Sequence, residues 1–379
     1  MKIIIISPTF PPDKGGVSDY TFLLAAGLAE KNEVIIVTSK LEDTVSEEEN
    51  RFSIMRKIEN WGSFDLFHIL SISRRFTPEL IIIQYVSFLY GRGGINFIFP
   101  LVLLFLRMQY KVFTMVHEPF TPIGDSVKTF LISLVQRLML FCMVLGSDKI
   151  GVSIKAWERM MERFFFWRKG DFRWIPVPSN IKIAPNTPDV GDLQRFNKNP
   201  LLVFFGSLHV TKMVEFLTAS LEALIKKGYD SGLLIIGQDE KAISAYIKGL
   251  PDYIGERIFC TGYCSSEDVS RYLSVSDIFL LPLFDGISSR RTTLMTALEH
   301  GIPVVTTSGF LTDDIFLMED FILLSPSTDK GLFVSNVVKM ADDEILRKTM
   351  GKKGREAYEK YFSERLMVER YLDHVSAIL

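Results

Sequence analysis

The sequence predicts an α/β protein built from two doubly wound parallel sheets. Two observations carry the prediction. Short β-branched runs such as Ile3–Ile6 and Ile81–Ile83 alternate with helix-length stretches of periodic apolar residues, as expected of strands buried on both faces of a parallel sheet. The alternation breaks off in a Pro- and Asn-rich stretch, from Pro176 to Pro200, and then starts again, which marks a linker between two such sheets.

In the first half, strands are expected at Ile3–Ile6, Val34–Thr38, Phe52–Met55, Leu80–Gln84, Val112–Val116 and Lys149–Val152. Helices are expected at Val17–Glu30, Ile95–Met108 and Ser126–Leu145. Glu42–Asn50 reads as an acidic surface segment. In the second half, strands are expected at Leu201–Phe205, Gly232–Ile236, Ile258–Thr261, Ile278–Leu281, Pro303–Thr306 and Phe321–Leu324. The intervening helices are Val214–Lys227, Ala242–Lys248, Glu267–Ser274, Thr293–His300 and Gly331–Asp342. The tail after Asp343 is helical and charged, with a break near Phe362–Ser363.

Composition narrows the function classes. The net charge of −2 gives no electrostatic footprint for nucleic acid. Within residues 61–180, however, 14 Lys+Arg stand against 8 Asp+Glu, so the middle of the first half is basic. Three cysteines, Cys142, Cys260 and Cys264, make no metal-ligand set and suit reduced thiols in a cytoplasmic protein. The chain enters a strand at Lys2 with no signal-peptide pattern. No apolar run reaches the roughly 18 to 20 residues needed to span a bilayer. Ile95–Leu106 is interrupted by Pro100, and Phe130–Leu145 by Gln136 and Arg137. The segment Trp157–Lys169 interleaves aromatic and basic residues. It reads either as a peripheral contact with an anionic membrane or as a helix packed on its own domain.

Ligands of open α/β sheets bind beyond the carboxyl ends of strands, and several polar segments fall there. Gly15-Gly16 precedes the first helix, where backbone approaches a ligand closely and N–H groups remain free; Tyr20 follows one turn later. Gln84 and Tyr85 follow one strand as substrate-contact candidates. His117 and Glu118 follow another, placed to orient or deprotonate a hydroxyl. Gly206-Ser207 ends a strand, and Lys212 opens the next helix as a point charge for phosphate. Gly237–Glu240 lies at a further strand end, and Thr261-Gly262-Tyr263 could cover a nucleobase with a ring. The densest cluster is Asp285-Gly286-Ile287-Ser288-Ser289-Arg290-Arg291-Thr292-Thr293. Hydroxyls and two fork-shaped guanidiniums at a helix start make an anion site. No GxGxxG, GxxxxGK[ST], HExxH, GxSxG or Asp-x-Asp pattern is present, which leaves no support for a dinucleotide site, a P-loop or a carboxylate-bound metal.

Taken together, these segments resemble the retaining nucleotide-sugar glycosyltransferases of the GT-B fold, family 4. The likeness runs over essentially the whole chain. Pro11-Pro-Asp-Lys-Gly-Gly-Val-Ser-Asp-Tyr20 is similar to the N-terminal glycine loop, and Gly206 through Lys212 to the glycine-to-lysine phosphate loop. Thr296-Ala-Leu-Glu-His-Gly-Ile-Pro-Val-Val305 is similar to the helix-Gly-x-Pro-Val-Val signature. The resemblance implies two Rossmann-like domains facing across a cleft. Residues 1–182 would bind the acceptor, 183–360 the nucleotide-sugar donor, and the helix in 361–379 would cross back to the first domain. It implies polysaccharide or glycan synthesis, a UDP- or GDP-sugar as co-substrate, and a saccharide or lipid-linked saccharide acceptor, with no metal and no further cofactor.

Catalytic roles would fall to His117, Glu118, Lys212, Arg290 and Arg291. Donor contacts would come from Gly15, Gly16, Gly206, Ser207, Lys212, Tyr263, Asp285, Gly286, Ser288, Arg290, Arg291, Thr292 and Thr293, and acceptor contacts from Tyr20, Gln84, Tyr85 and His117. One departure stands out. The family's two glutamates, eight positions apart, correspond to Ser288 and Thr296. Either Asp285-Gly286 replaces the first Glu-Gly after an insertion, or Ser288 to Thr292 replaces the pair, the reading that needs no gap. Arg290 or Arg291 would supply the arginine missing at Ser207. A sugar-nucleotide-binding homologue without turnover, and a sugar-nucleotide epimerase, remain as alternatives.

Overall fold

The computed structural model describes residues 1–41, 48–49, 51–124, 126–184, 198–206, 212–237, 243 and 246–379. The expected acidic segment Glu42–Asn50, the Ser207 position, the residues after Gly237 to Glu240, and most of the Ala242–Lys248 helix lie largely or wholly outside them. The strands in chain order are β1 (Lys2–Ile6), β2 (Glu33–Ser39), β3 (Glu48–Glu49), β4 (Phe52–Ile58), β5 (Leu80–Val86), β6 (Lys111–Glu118), β7 (Lys149–Val152) and β8 (Phe172–Trp174). They continue as β9 (Leu201–Phe205), β10 (Gly232–Ile236), β11 (Ile258–Cys260), β12 (Ile278–Leu281), β13 (Val304–Ser308) and β14 (Leu323–Pro326). The helices are α1 (Gly16–Ala29), α2 (Phe67–Phe76), α3 (Ile98–Arg107), α4 (Val127–Leu145), α5 (Lys155–Phe164), α6 (Val214–Lys226) and α7 (Asp252–Gly255). They continue as α8 (Ser266–Ser274), α9 (Thr292–Glu299), α10 (Ile315–Met318), α11 (Lys330–Asp342), α12 (Glu344–Tyr361) and α13 (Glu364–Ser376).

The chain forms two compact units. Unit 1 comprises Met1–Val177 together with Glu364–Leu379, and unit 2 comprises Pro178–Ser363. Unit 1 holds an eight-stranded sheet in the order β3-β4-β2-β1-β5-β6-β7-β8, parallel except for the β3–β4 pairing. Its centre is the β-branched run Ile3–Ile6, wholly buried, with Ile4 opposite both Ile35 and Ile81. Unit 2 holds a six-stranded parallel sheet in the order β11-β10-β9-β12-β13-β14.

The strand order places a switch point in each unit, where consecutive crossovers leave in opposite directions. In unit 1 it lies between β1 and β5, and in unit 2 between β9 and β12. Such a point opens a crevice at the carboxyl ends of its two strands.

Three departures from the expected elements bear on function. β5 runs through Val86 and β6 through Glu118, so Tyr85, His117 and Glu118 belong to strands rather than following them. α2 was not expected, because Phe67-His-Ile-Leu-Ser-Ile-Ser-Arg-Arg-Phe76 is rich in residues with indifferent helix propensity; burial of Ile69 and Phe76 stabilises it. Finally, α4 forms one unbroken helix of 19 residues that is long and apolar enough, by length and composition, to cross a membrane. Gln136 and Arg137 do not interrupt it: Gln136 turns inward, donating to Gly93 O (2.9 Å) and accepting from Thr121 N (2.7 Å).

Candidate functional site

The crevice residues of unit 2 form a charged cluster. β9 is followed directly by Gly206, whose φ of 103° lies in the left-handed region. A Cβ there would stand 3.1 Å from both Lys212 Nζ and Thr293 Cγ2, so the lysine, the glycine and the start of α9 converge. Lys212 is fixed by a bridge to Leu283 in the loop after β12, and its ammonium lies 4.7 Å from the centre of the Phe204 ring. Burial pushes this ammonium down to about 8, with the Arg291 charge adding to the effect.

The loop between β12 and α9 brings both arginines to one carboxylate. Asp285 Oδ2 accepts from Arg291 Nη2 at 2.6 Å and from Arg290 Nη2 at 3.0 Å. All three side chains are largely buried. The loop is braced against the one after β13. Leu311 N donates to Asp285 O (2.9 Å), Ile287 N to Thr307 O (2.9 Å), and Ser289 N to Asp313 Oδ2 (2.8 Å). Gly286, at φ 83°, is where the loops cross: a Cβ would fall 2.2 Å from Gly309 N, so no other residue fits without displacing backbone.

The result is a fixed, cation-rich frame. Arg290 and Arg291 converge on Asp285, and Lys212 stands near Arg291, Gly206 and the start of α9. α9 begins directly after Arg291 with no side-chain cap, so its first turn adds N–H groups and the positive helix end. Such an arrangement can hold a dianion such as a diphosphate.

Thr292 and Thr293 open α9, while Ser288 lies in the preceding turn, 1% exposed. Thr296 is wholly buried; its hydroxyl donates to Thr292 O at 3.0 Å and lies 3.2 Å from Ser179 Oγ. Tyr263 stands 70% exposed beside Gly262, whose carbonyl accepts from Gly237 N at 3.0 Å.

The residues expected in unit 1 form a second cluster of different character. α1 starts at Gly16, capped by Gly15 at φ 152° and ψ 155°, a conformation essentially confined to glycine. One turn on, Tyr20 is buried. Its ring packs edge-on against His117, with centroids 4.6 Å apart, and its hydroxyl donates to that of Tyr371 on α13 at 3.1 Å. His117 Nε2 is 2.8 Å from Gln84 Oε1. Because an amide oxygen only accepts, Nε2 carries the proton and Nδ1 is left as the acceptor. Burial lowers the imidazole to about 3 and raises both phenols, so all of these groups are neutral near pH 7. Tyr85 is wholly buried, stacked on Tyr90 at 5.9 Å. Glu118, at the end of β6, is exposed.

Sequence reasoning did not identify Tyr371. It lies 351 residues from Tyr20 in a charged tail helix, and the contact arises only when α13 packs into unit 1. Nor did it foresee the shared Asp285 carboxylate, although Asp-Gly five residues before a paired arginine is a signal in retrospect. Among the described residues, no three His, Cys, Asp or Glu side chains are placed to hold a metal ion. In the 157–169 segment, Trp157 and Met161 are buried while Phe164, Phe166 and Trp167 are exposed.

Comparison with known proteins follows the same division. Residues 199–343 match the family described as Glycosyl transferases group 1. The chain is similar to a sucrose-phosphate synthase from Thermosynechococcus elongatus at TM-score 0.74 and 18% identity, over 100% of this chain and 98% of that one. A glycosyltransferase from Rickettsia africae is similar at TM-score 0.70 and 14% identity, over 99% of this chain and 98% of that one. Anabaena Alr3699/HepE, solved with UDP and glucose, is similar at TM-score 0.69 and 12% identity, over 100% of both chains. No curated protein matches. At these identities the structural likeness establishes the fold, and residues 199–343 are similar to the glycosyl transferases group 1 family.

Proposed function

We infer that this chain, which has the GT-B fold and matches glycosyl transferases group 1 over residues 199–343, is a glycosyltransferase that moves a sugar from a nucleotide diphosphate to a hydroxyl, with retention at the anomeric carbon. The observation that carries this reading is the convergence of Arg290 and Arg291 on Asp285, with Lys212 close to Arg291, at the start of α9. The donor's diphosphate occupies that frame. Charge builds on the β-phosphate oxygen as the sugar–phosphate bond breaks, and the buried cations stabilise it. Losing one such donor from a preorganised site typically costs about 3 to 4 kcal/mol of barrier. Because Asp285 already holds both guanidiniums, little reorganisation is needed when the donor arrives.

In this reading the acceptor hydroxyl attacks the anomeric carbon on the face the phosphate leaves. Its proton passes to the departing phosphate oxygen, so no protein base is required. That suits unit 1, whose His117 is neutral and positions sugar hydroxyls through Nδ1 instead of removing a proton. Tyr263 and Gly262 are assigned to the nucleobase, and a UDP- or GDP-sugar is the proposed donor. The acceptor class is a saccharide or lipid-linked saccharide in glycan synthesis. A second reading, donor binding without turnover, is favoured by one observation: Ser288 and the buried Thr296 stand where the family keeps carboxylates.

Thermal shift against a panel of UDP-, GDP-, ADP- and TDP-sugars, followed by nucleotide release with and without saccharide acceptors, tests both. Stabilisation by one nucleotide class with sugar-dependent release supports transfer. Stabilisation without any release supports binding alone. The absence of stabilisation by every sugar nucleotide overturns both.

A further inference from the structure

We propose that α3 and α4 form a surface by which unit 1 docks on an anionic lipid bilayer. The proposal goes beyond sugar transfer and does not depend on it. Along α4, Leu131, Leu134, Leu138, Phe141 and Leu145 follow at spacings of three and four, so they share one helix face. That face points outward: Leu131, Leu134 and Leu138 are 53 to 56% exposed. It runs for about 21 Å at 1.5 Å per residue. The opposite face of α4, with Ser133, Gln136, Met139 and Met143, is buried against unit 1. The helix therefore lies on the protein with its apolar side turned to solvent.

The surface continues on both sides. α3 packs beside α4 and exposes Leu101 and Phe105, and Met108, directly after the helix, is 80% exposed. At the other edge Phe141 stacks on Phe165 at 6.0 Å, and Phe165 meets the exposed Trp167 at 5.7 Å. A soluble monomer seldom leaves so continuous an apolar area uncovered. An aromatic rim next to aliphatic side chains is the composition favoured at a membrane interface.

Charge identifies the occupant. The charged residues of α3 and α4 are Arg107, Lys128 and Arg137, with no acidic residue in either helix. Across 98–108, 127–148 and 162–171 there are six basic residues against three acidic. A positive frame around an apolar face complements anionic headgroups. It disfavours a second copy of this chain, because neither α3 nor α4 of that copy would offer a carboxylate to Lys128 or Arg137.

The test is co-sedimentation of the full chain with phosphatidylglycerol-containing and with pure phosphatidylcholine vesicles, at low and high salt. The wild type is expected to bind the anionic vesicles, less at high salt, with a blue shift of tryptophan emission. Leu134→Glu with Leu138→Glu should lower partitioning about tenfold or more. Both positions are solvent-facing, so the variant should melt like the wild type. No binding by the wild type, equal binding by a folded variant, or indifference to headgroup charge overturns the proposal. So does a dimer that the variant converts to monomer, because a second copy would then cover the face. The outcomes separate from the sugar-transfer reading: vesicle binding by a protein that no sugar nucleotide stabilises would sink that reading alone.

Discussion

The two switch points of this molecule share a layout and differ in electrostatics. In each, a central strand ends in a glycine-bearing loop beside a helix start. Unit 1 surrounds that place with Tyr20, Gln84, His117 and Tyr371, four buried groups that are neutral near pH 7. Unit 2 surrounds it with Lys212, Arg290, Arg291 and Asp285. The same layout thus carries two different chemistries, a neutral buried network and a cationic frame that suits an anion over a neutral ligand; under the proposed function the first lies on the acceptor side and the second on the donor side. The difference also sets how each resists mutation. A neutral network loses a hydrogen bond when one member is removed, whereas the charged frame strands a buried ion.

The sharpest way to break the contrast is to remove both guanidiniums. Arg290→Ala with Arg291→Ala should abolish transfer and also destabilise unit 2 by about 3 to 5 kcal/mol, because Asp285 is left buried without a counter-charge. Adding Asp285→Asn should restore melting but not activity. Recovery of activity in that triple variant would show that the arginines serve only the fold.

Lys212→Met should come next, slowing turnover by roughly 10² to 10³. Calorimetry of donor binding should show weaker affinity with a melting temperature that does not fall, since no buried ion is stranded.

The pH dependence of diphosphate binding then separates the units. Lys212 is charged below about 8 in the empty site, and an anion raises it. Affinity should therefore be full below pH 8 and fall by up to about tenfold per pH unit above it. The Met variant should lack this slope.

In unit 1 the sign is reversed. His117 titrates near 3 in the folded protein against about 6.5 in the unfolded chain. Its contribution to stability is present above pH 6.5 and is lost as pH falls towards 3. His117→Gln should flatten that part of the stability profile, and should raise the acceptor KM more than it weakens the donor. Smallest of all, Tyr371→Phe should cost about 1 kcal/mol, one neutral hydrogen bond, with donor affinity unchanged.

The parts legible in the sequence were those with local causes. β-branched runs such as Ile3–Ile6 could only be buried strands, and Gly301-Ile-Pro303 could only end a helix and lead into another strand. The position of the Arg290-Arg291 cluster after a strand and before a helix was equally plain. What the residues did not disclose depends on distant packing. Nothing near Gln84 shows that β5 continues past it, because the extension is set by pairing with β6. Nothing near Asp285 shows that one carboxylate takes both guanidiniums. α4 presents a nearly unbroken apolar string, and a string apolar on several sides does not say which side is covered. α2 was missed because its stability comes from packing and not from propensity.

The hydrogen bond from Tyr20 to Tyr371 joins residues 351 apart, and this gives the molecule a timetable. On a ribosome adding about 5 to 20 residues per second, the phenol of Tyr20 waits roughly 20 to 70 seconds for its partner. All of unit 2 is synthesised in that interval, between the two pieces of unit 1. The inserted unit can finish folding while its host is still missing a helix. Until α13 emerges, the polar interior of unit 1 stands open along one side. A nascent chain stalled just short of Glu364 should therefore carry a finished cationic frame in unit 2 and an unfinished neutral network in unit 1, and it would be unit 1 that draws chaperones.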